Sequence, residues 1–472
     1  MLGIEPSIWV TCEYINQQIS LGGVNVRRVL FLLFDVLLFY ASIVFSSYVR
    51  FGYQSHKVDF ASIAWILSAA LLVFITYSMD LYDFSIQKTY STIVMSTVLV
   101  NVLTFVIAMS ICFWFRSFST PRSIFMLAFL VNTVTQLVFR FLVFTATKQK
   151  AENVLVVADS IDHGFRIGHA LVSSNPKVNV AYVTSESELG ISELRKYNAV
   201  FMSDRVSPRW KNRTAQAALD AGITVNLVPE SFDVISRPTK VSSYGDLMVF
   251  TSAPLYIPRR YRLVKRIMDL GCAIVLLAIA SPAMMILSIV IPLESSGSAF
   301  YSQERVGLNG KIFRVHKFRS MRSDAEQKTG AILATANDPR VTRIGRFIRA
   351  TRLDELPQLF NVLIGDMSLV GPRPERPEFV SEFERQIPGY GYRHIVKPGV
   401  TGYAQVSGFY STDAADKLRY DLWYIRNYHP YQDIKLLLKT IIVVLTPLKA
   451  RGVLSAIPTD MVAATQETTL TK

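Results

Sequence analysis

Cysteine is scarce in this chain, with only three such residues among 472: Cys12, Cys112 and Cys272. They show no paired spacing, and two of them lie inside apolar runs. This pattern excludes a disulfide framework and a cysteine zinc site, and it suits soluble parts that face a reducing cytosol. The histidines form no metal-like cluster either, so His316 and His394 are expected to pack as ordinary polar side chains.

Acidic residues are outnumbered by basic ones, 36 against 50, which gives a formal net charge of +14. Such a charge favours anionic partners, namely lipid headgroups, phosphates or nucleic acid. Half of the residues are hydrophobic, and they are concentrated in blocks. Four blocks fill the first third of the chain, at 29–49, 60–79, 91–115 and 123–144, and each can cross the ~30 Å hydrocarbon layer at ~1.5 Å per residue. We therefore predict an integral membrane protein with four transmembrane helices in region 1–149, and no nucleic-acid partner.

A glycine-rich dinucleotide turn is missing from the next region, 150–250. Segments such as "NVLVVADS" and "ITVNLVPE" are typical of short buried strands, and amphipathic stretches separate them. Strands that alternate with helices predict a parallel, doubly wound α/β sheet, that is, a Rossmann-like domain. The turn after the first strand is "ADSIDHG" instead of G-x-G-x-x-G, so no ligand is assigned and a regulatory or scaffolding role is favoured.

A fifth apolar run, 270–293, has Ser281 and Pro282 at its centre. By length it is a further membrane crossing. Pro282 cannot donate a backbone hydrogen bond and clashes with the preceding turn, so a sharp bend is expected there. Ser281 can satisfy a carbonyl freed by the proline. A helix bent at mid-depth could enter and leave by the same leaflet, and these residues leave both topologies open.

Two adjacent carboxylates, Asp354 and Glu355, follow an arginine series with a spacing of three. The series comprises Arg340, Arg343, Arg346, Arg349 and Arg352. Arginine in such a series suits either a basic membrane-surface helix or a phosphate-binding surface. Thr351 and Asp354 form a T-x-x-D pattern, which predicts a helix from about 354 to Gly365. The acidic pair then has three interpretations: a cap with salt bridges, a nucleophile toward phosphorus, or a Mg²⁺ ligand.

Three longer motifs are present: "ERVGLNGKIFRVHKFRSM" (304–321), "DPRVTRIGRFIRATRLDELPQLFNVLIGDMSLVGPRPE" (338–375) and "VKPGVTGYAQVSG" (396–408). Together they resemble the bacterial sugar transferases of the monotopic phosphoglycosyl transferase superfamily. The whole chain is similar to the long-form polyprenyl-phosphate hexose-1-phosphate transferases. The motif match covers about 259–445.

The resemblance implies transfer of a hexose 1-phosphate from a UDP-hexose, with glucose or galactose expected, to undecaprenyl phosphate. UMP is released, Mg²⁺ is required, and the product starts exopolysaccharide, capsule or O-antigen synthesis. Asp354 matches the family's nucleophile, which forms a phosphosugar intermediate, and Glu355 matches the residue associated with the metal.

The resemblance also assigns further positions. Pro372, Arg373 and Pro374 match an element near the nucleotide, while Ser281 and Pro282 match a re-entrant membrane helix. Lys265, Arg266 and Asp269 match the charged residues at the start of that helix. The diphosphate and the lipid phosphate are expected to contact Lys317, Arg319, Arg346, Arg349 and Arg352.

These matches imply an α-rich, monotopic catalytic domain over 255–472, whose re-entrant helix spans about 265–293. Because nucleotide sugars are cytosolic, this domain is expected on the cytosolic face of a multi-pass protein of the bacterial inner membrane. One departure concerns the family's arginine after "QVSG", which is replaced here by Phe409 and Tyr410. Any donor-site role of that arginine is therefore in doubt.

Two alternatives remain. In the first, the lipid phosphate attacks the donor directly and the two acids only hold Mg²⁺. In the second, the protein is a non-catalytic membrane scaffold of a polysaccharide assembly complex. The membrane bundle and the sheet domain offer surfaces for a homodimer.

Overall fold

The computed structural model describes the following residues: 20–21, 24–52, 63–83, 90–114, 121–146, 152–174, 178–184, 190–236, 240–244, 247–322, 338, 340–408 and 413–445. Phe409 and Tyr410 lie outside these ranges. The chain forms two compact units, Met1–Val228 and Pro229–Lys472.

The first unit begins with a short hairpin and four apolar helices. The hairpin strands are β1 (Ser20–Leu21) and β2 (Val24–Asn25), and the helices are α1 (Val26–Phe51), α2 (Ile63–Ser78), α3 (Tyr90–Trp114) and α4 (Arg122–Ala146). Each of the four predicted apolar runs therefore contains a helix within the residues that the structure describes. Helices α1, α3 and α4 are long and apolar enough to cross a membrane, whereas α2 is shorter.

Buried polar side chains connect the apolar helices. Arg140 on α4 pairs with Asp35 on α1 at 2.9 Å, and both side chains are almost fully buried. Asn101 on α3 contacts Gln136 and Asn132 on α4 at 2.9 and 2.6 Å. Hydrogen bonds of this kind connect helices within lipid, where no water can satisfy the polar groups.

The rest of the first unit is an α/β domain. Its elements are β3 (Glu152–Val157), α5 (Ile161–Ser174), β4 (Val178–Val183), α6 (Ile191–Leu194), β5 (Ala199–Met202), α7 (Pro208–Asp220) and β6 (Thr224–Leu227). The four strands pair in the order β4-β3-β5-β6, and every pair is parallel. The predicted parallel sheet is confirmed, with its core around the buried side chains of Leu155, Val200 and Met202.

The second unit contains the long motifs. Its first elements are α8 (Ser231–Ile235), β7 (Lys240–Tyr244), β8 (Leu247–Thr251), α9 (Arg259–Glu294), β9 (Phe300–Val306) and β10 (Ile312–Phe318). They are followed by α10 (Arg343–Ala350), α11 (Gln358–Ile364), β11 (Ser368–Val370), α12 (Pro377–Gln386) and β12 (Gly399–Thr401). The last are α13 (Tyr403–Ser407), α14 (Ala414–Arg426) and α15 (Pro430–Leu445), and short 3-10 turns cover Leu308–Gly310, Leu353–Glu355 and Tyr390–Ile395.

Helix α9 contains the fifth apolar run, including Pro282. It spans 36 residues and is apolar enough to lie in a membrane. Pro282 leaves the carbonyl four residues before it, that of Ala278, without its helical donor. The Ser281 hydroxyl donates to this carbonyl at 2.9 Å. The expectation that Ser281 satisfies a carbonyl freed by the proline is confirmed.

The core of the second unit surrounds β11 and α11. Buried side chains from α11, β11, α14 and α15 meet there, among them Val362, Val370, Tyr424 and Leu436. A second cluster packs the later half of α9 against β10 and α10, through Leu287, Phe318 and Ile348. These two cores fix the turn between α10 and α11, which carries the acidic pair.

Candidate active site

The acidic pair lies on the 3-10 turn Leu353–Glu355, between α10 and α11. The predicted T-x-x-D cap is wrong. The Thr351 hydroxyl donates back to the Phe347 carbonyl at 2.9 Å, because Thr351 still belongs to the end of α10. Arg352 then adopts a left-handed conformation with φ 59°, which reverses the chain before the turn.

Helix α11 begins at Gln358 instead of 354, after Pro357. Its end was predicted correctly, because Gly365 closes the helix with φ 107°, a value that suits a residue without a side chain. Asp354 and Glu355 therefore precede the helix, on a turn held between two packed helices.

Glu355 is surrounded by cations. Its Oε1 atom lies 2.8 Å from Arg373 Nη2, 3.5 Å from Lys317 Nζ and 4.0 Å from Arg352 Nη1. Burial alone would raise the pKa of Glu355, but Arg373, Lys317 and Arg352 together hold it well below its usual range. Glu355 is thus kept ionised, and its Oε1 atom is paired with cations.

Asp354 differs from its neighbour. Its side chain is half-buried, and among the residues that the structure describes no donor or cation comes within hydrogen-bond or ion-pair distance of it. Burial and the adjacent charge of Glu355 raise the pKa of Asp354 to about 6, against the opposing charges of Lys317, Arg349 and Arg352. One carboxylate is therefore clamped, while the other is left without a partner beside several cations.

The Pro-Arg-Pro loop, residues 372–374, supplies Arg373 to this site. Each of its carbonyls has a donor. Pro372 O accepts from Gly399 N at 2.9 Å, Arg373 O from Arg393 Nη2 at 2.9 Å, and Pro374 O from Arg305 Nη1 at 3.1 Å. Three separate elements thus fix the backbone of the loop.

Sequence reasoning missed Arg305 and Arg393. Arg393 is almost fully buried and pairs with Asp421 at 2.8 Å. The guanidinium of Arg393 also lies over the ring of Tyr390, 5.0 Å from its centroid. No local signal marks this pair, since Asp421 is far along the chain on α14.

The other predicted phosphate-binding residues divide into two groups. Lys317, Arg349 and Arg352 lie close enough to influence the charge of Asp354. Arg319 points elsewhere, because its guanidinium donates to the carbonyls of Ser296 and Ser295 at 2.7 and 2.5 Å, just after α9. Arg346 is exposed on α10. Direct phosphate binding by Arg319 and Arg346 stays a prediction.

The charged residues at the start of α9 attach that helix to the site. Lys265 donates to Val370 O at 2.9 Å, Arg266 to Val362 O at 2.6 Å, and Asp269 Oδ1 accepts from Leu369 N at 3.0 Å. Val370 precedes the Pro-Arg-Pro loop by two residues. The start of α9 therefore supports the strand that leads into the loop.

A buried polar network, unrecognised in the sequence, completes this attachment. Lys265 pairs with Asp433 at 2.7 Å, and Asp433 also accepts from Tyr424 and Tyr428 at 2.7 and 3.1 Å. Each oxygen of the Asp433 carboxylate is thus hydrogen-bonded, as a buried charge requires.

The site offers few ligands for a metal ion. In the ranges that the structure describes, no three His, Cys, Asp or Glu residues come together as a metal-binding group. The carboxylate of Asp354 and the second oxygen of Glu355 are the acidic atoms that remain beside the cations. Mg²⁺ is commonly bound by one or two carboxylates together with substrate phosphates, so this donor set fits Mg²⁺ when a diphosphate is present.

The geometry suits chemistry at a phosphate. A carboxylate without partners can attack phosphorus, and nearby guanidinium and ammonium groups can stabilise the charge on the phosphoryl oxygens. The fixed loop and the clamped Glu355 would keep those cations in place during the reaction.

The chain is similar to known proteins in the region that contains the acidic pair. The sequence model of the family described as "Bacterial sugar transferase" matches residues 260–447. A provisionally named undecaprenyl-phosphate N-acetylgalactosaminyl 1-phosphate transferase of Bacillus subtilis is 59% identical over 134 residues, which cover 28% of this chain and 74% of that protein.

Two further relatives are matched over longer stretches. The UDP-N-acetylgalactosamine-undecaprenyl-phosphate N-acetylgalactosaminephosphotransferase of Aeromonas hydrophila is 41% identical over 262 residues, 54% of this chain and 61% of that protein. The UDP-glucose:undecaprenyl-phosphate glucose-1-phosphate transferase of Escherichia coli is 38% identical over 253 residues, 52% of this chain and 53% of that protein. The chain thus spans 53–61% of the length of these two relatives.

Proposed function

The chain belongs to the bacterial sugar transferase family, and we propose that it transfers a sugar 1-phosphate from a UDP-sugar to undecaprenyl phosphate, with release of UMP. The names of the relatives support both the lipid and the type of donor, with N-acetylgalactosamine, glucose and galactose among the sugars. Glucose and galactose remain the donors expected from the sequence. The product would begin the assembly of a surface polysaccharide.

The observation that carries this proposal is that the two carboxylates differ in their ion-pair partners. Glu355 is clamped by Arg373, Lys317 and Arg352, whereas Asp354 has no partner among the described residues. A nucleophile needs a carboxylate that is free to form a bond, and a charge-organising residue needs a fixed one. We therefore assign Asp354 as the nucleophile and Glu355 as its electrostatic partner.

The proposed reaction has two displacements. In the first, an Asp354 oxygen bonds to the sugar-bearing phosphorus while the bond from that phosphorus to the bridging oxygen breaks, and UMP leaves with the electron pair. In the second, a phosphate oxygen of the lipid attacks the same phosphorus and the bond to Asp354 breaks. The carboxylate is regenerated, so no oxidant, reductant or additional group is consumed.

The cations around Asp354 would stabilise both displacements. The charges of Lys317, Arg349 and Arg352 lower the pKa of Asp354, and Arg373 is bonded to the adjacent Glu355. Guanidinium groups match the oxygens of a phosphate with paired donors. If Mg²⁺ is bound, Asp354 and Glu355 would hold it, and it would supply charge neutralisation to the diphosphate.

We further propose that α9 is re-entrant. Its start contacts β11 through Lys265 and Asp269, while Glu294 at its end accepts from Arg343 N and Ile344 N of α10 at 2.8 and 3.1 Å. A straight helix of 36 residues would extend about 54 Å, well beyond the ~30 Å apolar layer. A soluble domain on one face could not contact both ends of a crossing helix, so these contacts favour a return to the same face.

The proposal also covers the domain bounds, the location in the cell and the oligomeric state. The domains we propose are an N-terminal membrane region at 1–149, a Rossmann-like domain predicted at 150–250 and a catalytic domain at 255–472. In the structure the first compact unit ends at Val228, so the last part of the range predicted for the Rossmann-like domain belongs to the second unit. The catalytic domain would lie on the cytosolic face of the bacterial inner membrane, where it meets a cytosolic donor and a lipid that diffuses laterally. The first unit offers surfaces for a homodimer.

The proposal is tested with membranes that contain the full-length protein and undecaprenyl phosphate. A panel of UDP-glucose, UDP-galactose and UDP-N-acetylgalactosamine is supplied, and UMP release is measured. We expect lipid-dependent UMP release with at least one donor, and none from an Asp354→Asn variant. A wild-type protein that releases no UMP with any of them would instead support a scaffold.

A further inference from the structure

The side chain of Arg349 differs from those of the other cations beside the acidic pair. Three of those cations lie within ion-pair distance of Glu355 Oε1. Arg349 is half-buried on α10, and its charge opposes the rise that burial causes in the pKa of Asp354. Its terminal nitrogens, Nη1 and Nη2, have no hydrogen-bond or ion-pair partner among the residues that the structure describes. This fork of donors is therefore available to a ligand next to the proposed nucleophile.

One hydrogen bond holds the guanidinium of Arg349. Its Nε atom donates to Ser320 Oγ at 2.8 Å, and Ser320 is buried, with 8% of its surface exposed. Because Nε belongs to the planar guanidinium, fixing this atom limits the directions in which the two terminal nitrogens can point. Within the described part of the chain, the hydroxyl of Ser320 is therefore the group that orients the fork.

The backbone of Ser320 is itself fixed between two helices. Its carbonyl accepts from Thr342 N at 3.2 Å, and a Cβ atom on Gly345 would lie 2.0 Å from the same oxygen, so the first turn of α10 contacts Ser320 directly. On the other side, Arg319 N donates to Ala299 O at 2.8 Å, and the Arg319 guanidinium donates to two carbonyls just after α9. The hydroxyl thus has a defined position relative to the helix that carries the arginine.

We propose that Ser320 is a positioning residue that directs the fork of Arg349 at phosphoryl oxygens beside Asp354. This rests on the proposed function, which supplies two such groups, the diphosphate of the donor and the phosphate of the lipid. The two parallel donors of a guanidinium match phosphoryl oxygens, which only accept. A hydroxyl that merely packed α10 against the end of β10 would act whether or not Arg349 is present, so the two roles can be separated.

The test is a double-mutant cycle on the full-length protein in membranes that contain undecaprenyl phosphate. Ser320→Ala removes the acceptor, Arg349→Met removes the fork, and a third variant combines both changes. We expect kcat/KM for UMP release to fall about tenfold in Ser320→Ala, as for a misplaced contact, and at least as far in Arg349→Met. Adding Ser320→Ala to Arg349→Met should cause no further loss, because no fork is left to orient.

Two conditions keep other effects out of this cycle. The rates are measured at pH 8, well above the pKa of about 6 for Asp354, so that the carboxylate is ionised in every variant. Ser381→Ala, the same change at an exposed position on α12, is the matched control and should keep the wild-type rate. Ser320→Thr keeps the hydroxyl and should recover most of the rate lost in Ser320→Ala, which a role in packing alone would not produce.

The two half-reactions identify the phosphate that the fork contacts. Formation of the phosphosugar adduct without lipid depends on the diphosphate of the donor, whereas discharge of the adduct depends on the lipid phosphate. Slower formation in Ser320→Ala would assign the fork to the donor, and slower discharge would assign it to the lipid. Either result supports the positioning role.

Three results would overturn the inference. They are a rate within twofold of wild type for Ser320→Ala, the same tenfold loss when Ser320→Ala is added to Arg349→Met, or a wild-type rate for Arg349→Met. If the wild-type protein releases no UMP, the proposed function fails, and the affinity for inorganic pyrophosphate in lipid nanodiscs then decides the inference alone. This affinity should fall about tenfold in Ser320→Ala and no further in the double variant than in Arg349→Met. Equal affinity in wild type and Ser320→Ala would then refute the inference as well.

Discussion

Arg373 Nη2 donates to Glu355 Oε1 at 2.8 Å, and this contact joins the Pro-Arg-Pro loop to the acidic turn. The charge of Glu355 in turn raises the pKa of the Arg373 guanidinium. Through this pair, a loop anchored by three separate donors fixes the residue beside the proposed nucleophile.

The first prediction concerns this contact. Arg373→Lys keeps the charge but loses the forked donor geometry, so Glu355 loses its shortest ion pair. We expect kcat/KM for UMP release to fall roughly 100-fold, the scale of removing one preorganised donor. The same change at Arg385, exposed on α12, is the control and should leave the rate unaltered. A rate within twofold of wild type for Arg373→Lys would show that the geometry of this pair is unimportant.

The second prediction is a pH dependence. The pKa of Asp354 is raised to about 6, so this carboxyl is protonated and unreactive below that pH and ionised above it. Because the two acids interact, the apparent pKa belongs to the pair. We expect kcat/KM to fall about tenfold for each pH unit below 6. The measurement is a pH-rate profile from pH 4.5 to 8.

A variant checks the assignment of that acidic limb. Arg349 stabilises the ionised form of Asp354, and its Nε atom is held by Ser320 Oγ at 2.8 Å. Arg349→Met should therefore move the limb to higher pH. A limb that stays in place, or moves to lower pH, would assign it to another group.

The third prediction separates positioning from stability at Arg393. Arg393→Met leaves Asp421 buried without its partner, which should cost about 3–5 kcal/mol of unfolding free energy. The double variant Arg393→Met/Asp421→Leu removes both charges, so most of the thermal stability should return. UMP release should stay about tenfold low even then, because the Arg373 carbonyl has lost its donor.

Two measurements on the same samples check this, namely the unfolding temperature and the rate of UMP release. Asp421 is buried and its pKa is raised to about 6, so the single variant should also be least stable where Asp421 is ionised. Recovery of the wild-type rate in the double variant would contradict a positioning role for Arg393.

The fourth prediction concerns the topology of α9. In a background without Cys12, Cys112 and Cys272, single cysteines replace Arg259 and Ser296. Both are exposed; Arg259 is the first residue of α9, and Ser296 lies two residues beyond its end. A re-entrant helix places both on the cytosolic face, so an impermeant maleimide should label neither in intact spheroplasts and both in inverted vesicles. Labelling of the Ser296→Cys variant alone from outside would establish a crossing helix. Adding Pro282→Leu should increase such outside labelling, because the substitution would remove the cause of the proposed bend.

Much of the fold could be predicted because its signals are local. Apolar runs locate the helices, and alternating strand and helix patterns predict the parallel sheet. A proline preceded by serine predicts that Ser281 bonds to a freed carbonyl, which the structure shows to be that of Ala278. The T-x-x-D prediction failed for the same reason. A four-residue pattern contains no information on whether Thr351 still belongs to the preceding helix.

The supporting residues could not be found in this way. Lys265 and Asp433 are 168 positions apart, and Arg393 contacts Arg373 through a backbone carbonyl, which has no side-chain signature. Only the folded chain brings them together. The unequal environments of Asp354 and Glu355 likewise depend on Arg373, which lies 18 positions beyond Glu355.

The most direct test of Asp354 as nucleophile is the intact mass of the purified full-length protein after incubation with UDP-sugar and Mg²⁺ in the absence of lipid. The account predicts a wild-type species heavier by one phosphosugar, located at Asp354 by peptide mapping and discharged by undecaprenyl phosphate. Asp354→Asn should show neither the adduct nor UMP release. Two results would contradict Asp354 as the nucleophile and favour direct attack by the lipid phosphate. One is an Asp354→Asn variant that still releases UMP. The other is a wild-type enzyme that forms no adduct with the donor alone but releases UMP once undecaprenyl phosphate is added.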